Sequence, residues 1–487
     1  MNMLLNSMKQ DSNFTHTENG AITHKTTESA LLDMFAMGGA MRQRSVDDVI
    51  LMFKKAYQEN PVYALKCLFY LRDVRGGQGE RRFFRECMKW LTKNDAAAAR
   101  RNLQYVAEFG RWDDLYCFVG TSLEKDAFKI MKEQFVLDLN CNTPSLLAKW
   151  LHSENATSKE NAKLGALTCQ YFGYSPRQYR KNLSTLRERI RVLERLMSQN
   201  RWNEIEFDKI PSKAGLKYKN AFARRDIVKA KYEKFAKDEN AKVNAEILNP
   251  VDIAGQIFGR GYYAEPFSEV DRLMLQKYWD NLKDYYGGRE ERGIAVVDVS
   301  GSMIGQPMNA AVSMGAYIAE RGKGPFQNHF ITFSHSPKLV EFEGVDIVDK
   351  FLRARVADWG MDTNIEATFN LILRTARKNN LPQSEMPERI YIFSDMEFNR
   401  CTGCCNEQGM NTLLENIALE WQKYGYELPS LIFWNLSARQ ENIPAIGGRF
   451  SYVSGFSMNM IENILSGKDG YSLMLDKLDS ERYSVIS

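Results

Sequence analysis

Residues 294–302 read Ile294-Ala295-Val296-Val297-Asp298-Val299-Ser300-Gly301-Ser302, a wholly apolar run that gives way to alternating polar oxygens. Four consecutive apolar residues bounded by polar ones describe a strand buried on both faces, as parallel sheets require. Beyond the strand, alternate positions put the Asp298, Ser300 and Ser302 oxygens on one side of an extended loop, and Gly301 permits a tight backbone there. Hard divalent cations take such oxygens: octahedral Mg²⁺, or Mn²⁺ in its place, accepts neutral hydroxyls and water-bridged carboxylates.

Downstream, the pattern predicts helices over 308–319, 364–378 and 410–424 and strands over 329–333, 389–393 and 430–434, with 338–342 as an edge strand. Short apolar strands alternating with amphipathic helices indicate a doubly wound parallel sheet. The strand at 389–393 ends in Ser394-Asp395, and a polar loop, Asp362-Thr363-Asn364, precedes a helix. Central strands of an open parallel sheet share one crevice at their carboxyl ends, so the three loops are expected to converge.

Asp-x-Ser-x-Ser, then a loop Thr, then a strand-end Asp, resembles the metal-ion-dependent adhesion site of the von Willebrand factor A domain. The resemblance implies direct hydroxyl ligands from Ser300, Ser302 and Thr363, with Asp298 and Asp395 acting mainly through ordered waters. It also implies a last coordination position filled by a partner's oxygen, often a carboxylate.

Upstream of glycines 287 and 288 the period is helical. Ser45 is expected to cap a helix with Asp48 at its third position, and Pro61 opens the next, which ends in the glycine-broken turn Arg72-Asp73-Val74-Arg75-Gly76-Gly77-Gln78-Gly79-Glu80. That turn is read as rigid, with Asp73 paired to a neighbouring arginine. Further short helices continue to a long one expected from Ser175-Pro176 to Ser198, carrying Arg187, Arg191 and Arg195 at four-residue spacing. Unequal spacing argues for irregular stacked helix pairs, a HEAT-like ring or horseshoe. The expected division is a flexible arm over 1–24, a helical domain over 25–288 and an α/β domain over 289–487.

The stretches Leu71–Arg81, Gly110-Arg111-Trp112-Asp113-Asp114-Leu115 and Ile210-Pro211-Ser212-Lys213-Ala214 are similar to the DUF2828 family, itself resembling the Ro autoantigen (TROVE) proteins. That likeness implies single-stranded or structured RNA as ligand. Charge supports the same region: residues 171–240 hold 18 Lys or Arg against 9 Asp or Glu, a net +9 in a chain that totals +4. Arg201-Trp202, Lys213, Lys217, Lys219 and Arg224-Arg225 mix cations with rings able to stack bases, so with the three helix arginines they form the candidate RNA surface; a solvated helix face is the alternative.

The 487 residues, 44% hydrophobic and 26% charged, suffice for sizeable cores, and global charge alone carries no nucleic-acid argument. No secretory segment or long uncharged apolar run occurs, so a soluble, reducing compartment without membrane association is expected: the cytoplasm, or a virion or virus-infected cell. The Cys401-Thr402-Gly403-Cys404-Cys405 loop admits zinc, redox and merely structural readings. No nucleophile–base pair stands out, so the chain reads as a binding protein. A protein-interaction or viral assembly component without RNA binding is the alternative, and a metal-dependent phosphodiesterase a third possibility.

Overall fold

The computed structural model describes residues 13–259, 266–333, 336–356, 363–400 and 412–487. Its strands are β1 (Phe14–His16), β2 (Ile22–His24), β3 (Gly293–Val297), β4 (His329–Thr332), β5 (Leu339–Glu341), β6 (Arg389–Ser394), β7 (Ser430–Asn435) and β8 (Phe450–Ser454). The last six form one sheet in the order β5-β4-β3-β6-β7-β8. All neighbours are parallel except β5, which runs antiparallel to β4. The expected parallel sheet is therefore mixed at its β5 edge. The connection from β4 to β5 is only a few residues, and a parallel return needs a crossover of a dozen or more.

Successive strand residues face opposite sides, so the unbroken burial of β3, and of β6 and β7 beyond their first residues, means that both faces are covered. The helix Gln306–Arg321 packs on β3, β4 and β6, and the helix Ala30–Met37 on β7 and β8.

The chain divides into two units at other places than the expected boundaries. One unit comprises 1–67, 248–268 and 282–480; the other comprises 68–247, 269–281 and 481–487. Apolar burial explains the interleaving: Leu31, Met34 and Phe35 are covered in the sheet unit, and Phe258 meets Phe351 with ring centroids 5.5 Å apart. Nor is the N-terminal arm free where it is described, since β1 and β2 pair as a hairpin around a Thr17–Gly20 turn. β2 is held by a reciprocal backbone pair between His24 and Ile443 at 3.0 and 2.8 Å.

In the helical unit, helix pairs such as Arg81–Asn94 with Ala96–Asn102, Glu124–Asn140 with Lys159–Phe172, and Ser212–Arg224 with Asp226–Lys237 pack on one another. In the sheet unit, Ser45 and Asp48 form the expected capping box. The helix opened by Ser175-Pro176 ends at Arg189, and a second begins at Leu193. Arg191 between them has φ 47°, so Arg187, Arg191 and Arg195 do not share one helical face.

In the glycine turn Asp73 pairs with the distant Arg482 and accepts from Tyr483 Oη at 3.0 Å, instead of forming the expected ion pair with a neighbouring arginine. A Cβ on Gly77 would lie 1.8 Å from the Tyr70 carbonyl oxygen. Gly77→Ala is therefore expected to destabilise the helical unit by about 1–3 kcal/mol, the usual penalty for overpacking, read by urea unfolding; an unchanged midpoint would mean that the turn relaxes freely.

Candidate functional site

The chain runs from β3 outward to β4 and β5, then returns to the other side of β3 to form β6. The crevice between the carboxyl ends of β3 and β6 is thus the sheet's topological switch point, where open α/β sheets bind ligands. Asp298 follows β3 directly and its backbone N–H donates to the Phe393 carbonyl at 2.9 Å, which fixes it beside Ser394 and Asp395 at the end of β6.

Both aspartates are buried, at 0% and 1% exposure. Asp298 accepts from Ser394 Oγ at 2.5 Å and from the Ser300 N–H at 2.9 Å. Ser300 Oγ and Ser302 Oγ lie 3.0 Å apart, Ser300 buried and Ser302 exposed. Thr363 Oγ1 donates to Asn399 Oδ1 at 2.8 Å, and the Asn399 N–H donates to the Thr363 carbonyl at 3.1 Å, joining that loop to the segment after β6. The loop after β3 thus meets the end of β6, and the Thr363 loop meets the segment after β6; Asp362 and the Cys401, Cys404 and Cys405 loop lie outside the described residues.

Burial, and then the negative charge of Asp395, pushes the Asp298 carboxyl up to about 7. Arg439 Nη2 lies 3.2 Å from Asp395 Oδ2, yet without the alignment of a hydrogen bond, and that buried oxygen has no hydrogen-bond donor among the described residues. Arg439 also holds Glu18 at 2.7 Å. Two buried carboxylates, one with an oxygen lacking a donor, and a pair of adjacent hydroxyls suit a hard cation, so the residues present fit Mg²⁺ or Mn²⁺. Among the described residues no cluster of three or more His, Cys, Asp or Glu is placed to hold a metal ion.

Three participants were not evident from the sequence. Glu397 is buried, its carboxyl pushed up to about 7 by that burial, and it accepts from the Glu18 N–H at 2.6 Å and from Asn442 Nδ2 at 2.9 Å. Asn19 Nδ2 donates to Thr363 Oγ1 at 2.9 Å and to the Glu397 carbonyl at 2.6 Å. The turn of the N-terminal hairpin therefore rests directly on one of the expected hydroxyl ligands. Arg439 is the third. The alternation of Asp395 and Glu397 was the only local signal for any of them.

The candidate RNA residues separate into four groups. Trp202 is only 4% exposed and packs edge-on against Phe222, and Lys219 is 3% exposed and paired with Asp271 at 3.1 Å, so neither offers the surface expected of it. An apolar periodic segment buries both, and a run of cations in the sequence does not reveal which side faces inward. Arg191 pairs with Glu206 at 2.7 Å, Arg195 with Glu188 at 2.7 Å, and Arg201 with Glu188 and Glu204 at 2.5 and 2.6 Å. Lys213, Lys217, Arg224 and Arg225 are exposed, with Lys217 over the Tyr218 ring and Arg225 5.3 Å from the Trp202 ring centre. Arg187 is turned inward, donating to the carbonyls of Ala148 and Leu151 at 2.9 and 2.8 Å.

Fold and site together define a helical protein joined to a mixed α/β sheet with an acid-and-hydroxyl crevice at its switch point. The chain belongs to the DUF2828 family, a domain of unknown function, whose model matches residues 17–166 and 138–282. A second domain of unknown function, DUF7788, matches 292–481, the region of the sheet. An uncharacterized protein of Acanthamoeba polyphaga mimivirus is 31% identical, the match covering 94% of this chain and 85% of that protein. The crystal structure of the Deinococcus radiodurans Ro (RSR) protein is similar at 15% identity and a TM-score of 0.49, covering 94% of this chain and all of that one. No helix among the described residues is long and apolar enough to cross a membrane.

Proposed function

We propose that this is a non-enzymatic binding protein with two separable ligands: an acidic group of a protein partner at a Mg²⁺- or Mn²⁺-dependent crevice in the sheet unit, and single-stranded or structured RNA on the helical unit. The observation that carries the first half is the buried Asp298–Asp395 pair at the switch point, with an Asp395 oxygen that has no donor among the described residues. In this reading Ser300, Ser302 and Thr363 hold the ion through neutral hydroxyls, and Asp298 and Asp395 orient its waters. An ion so held keeps much of its charge and attracts a carboxylate from outside. Asn19 and Asn399 fix the Thr363 hydroxyl, engaging its proton and one lone pair.

The RNA half is supported by the net +9 of residues 171–240 and by the exposed Lys213, Lys217, Arg224 and Arg225. One observation favours a rival in which the helices bind protein: Arg191, Arg195 and Arg201 are already neutralised by glutamates. The mimivirus relative supports a virus-related role for the proposed binding.

A pull-down from native extract, in Mg²⁺ and in EDTA, tests the scheme. EDTA is expected to release the protein partner and leave RNA bound, with RNA lost instead as salt rises. Identical protein partners in both conditions would remove the adhesion role; RNA lost in EDTA would move the nucleic acid to the metal; absence of RNA at low salt would favour the protein-binding rival.

A further inference from the structure

The glycine-turn motif, the Gly110–Leu115 motif and the basic helix meet at a cleft of about 540 Å³ within the helical unit, a size typical of small-ligand sites. Arg81, Arg111, Asp113, Lys149, Trp150 and Arg187 line it. Four cations thus face one carboxylate, and that carboxylate is already shared. Asp113 takes Arg111 at 2.9 and 2.8 Å and also Arg85 at 2.9 Å.

Three positive charges are left with little to oppose them. Arg81 is half exposed and no nearer than 3.9 Å to Asp113, and Lys149 has no ion pair among the described residues. Arg187 spends two nitrogens on main-chain carbonyls, whose dipoles orient a guanidinium without cancelling its charge. Holding an uncompensated guanidinium out of water is costly, and burial correspondingly lowers the Arg187 pKa. An anion entering the cleft offsets that cost. Most of these cations are arginines, whose planar fork suits the oxygens of a phosphate. Trp150 adds an aromatic wall, with the Arg111 guanidinium 4.0 Å from its ring centre. A phosphate beside an aromatic surface describes one nucleotide.

We propose that this cleft receives a nucleotide of single-stranded RNA, its phosphate against Arg81, Lys149 and Arg187 and its base against Trp150. The assignment rests on the RNA reading above and locates it at residues that global charge did not single out.

Fluorescence anisotropy of a labelled single-stranded RNA dodecamer on the full chain tests it, with adenosine monophosphate as competitor and a salt series from about 50 to about 300 mM. Arg81→Gln with Lys149→Gln removes two cations of which Arg81 makes only a long contact, 3.9 Å, to Asp113, and thermal melting checks that the fold persists. The pair is expected to weaken binding at least about tenfold and to flatten the slope of log K against log salt by up to about 0.7, the contribution of one phosphate contact on a single strand. Trp150→Leu should lower affinity with the slope unchanged, since stacking releases no counterions. Wild-type RNA binding with both variants unaffected overturns the cleft and spares the RNA reading. Binding of adenosine monophosphate but not RNA makes the cleft a free-nucleotide site and overturns the RNA reading. Binding of neither overturns both.

Discussion

Asp114→Ala is expected to destabilise the helical unit by about 3–5 kcal/mol, the usual result of removing one partner from a buried ion pair. Asp114 is fully buried and accepts from Arg72 Nε and Nη2 at 2.8 and 2.6 Å, from Arg85 Nε at 2.7 Å and from the Arg111 N–H at 2.9 Å. Arg72 is only 1% exposed, and even with Asp114 present its pKa is lowered by burial. Without the carboxylate, the guanidinium has no counter-charge beside it and must either drag water inward or leave. Urea unfolding of the single variant against Arg72→Met with Asp114→Leu separates the causes. The double variant should lose less, because both charges go together, and equal losses would mean that packing, not charge, decides the effect.

Asp395→Asn is expected to change stability in opposite directions with and without divalent cation. In EDTA the substitution removes the charge that opposes Asp298 and leaves Arg439 its contact with Glu18, so the melting temperature should hold or rise. In Mn²⁺ the wild type should gain about 2.7 kcal/mol at a concentration of 100 Kd. An outer-sphere carboxylate typically governs about 10–100-fold of metal affinity, which reduces that gain to roughly 1.4–0.4 kcal/mol at the same concentration. A variant destabilised equally in EDTA and in Mn²⁺ would mean that Asp395 serves the Arg439 ion pair alone.

The sheet was legible because its signals are local. The apolar runs of β3, β6 and β7, the cap at Ser45 and the helix start at Ser175-Pro176 all stand where the sequence indicated. The crevice was legible for a topological reason, since strand-end residues are brought together by strand order and not by side-chain identity. What escaped depends on distant pairing. β1 and β2 are three residues each and are ordered by contacts to Phe398 and Ile443, far away in sequence. Arg439, Glu18 and Asn19 reach the site from loops that carry no periodicity. The helix break at Arg191 was hidden because apolar spacing continues on both sides, with Leu186, Leu193 and Leu196 all buried. Net charge misled for a related reason: a surplus counts cations without showing which are spent on glutamates, as Arg195 and Arg201 are on Glu188.

Isothermal titration of Mn²⁺ into the metal-free full chain, beside Ser300→Ala and Thr363→Ala, bears most directly on the crevice. The wild type is expected to bind one ion and each variant to bind at least about tenfold more weakly; in EDTA Ser300→Ala should melt at a nearly unchanged temperature, whereas Thr363→Ala also loses a buried methyl and the hydrogen bonds to Asn19 and Asn399 and should melt somewhat lower. Absence of binding to the wild type at millimolar Mn²⁺, or equal affinity in all three proteins, would contradict a cation held by these hydroxyls.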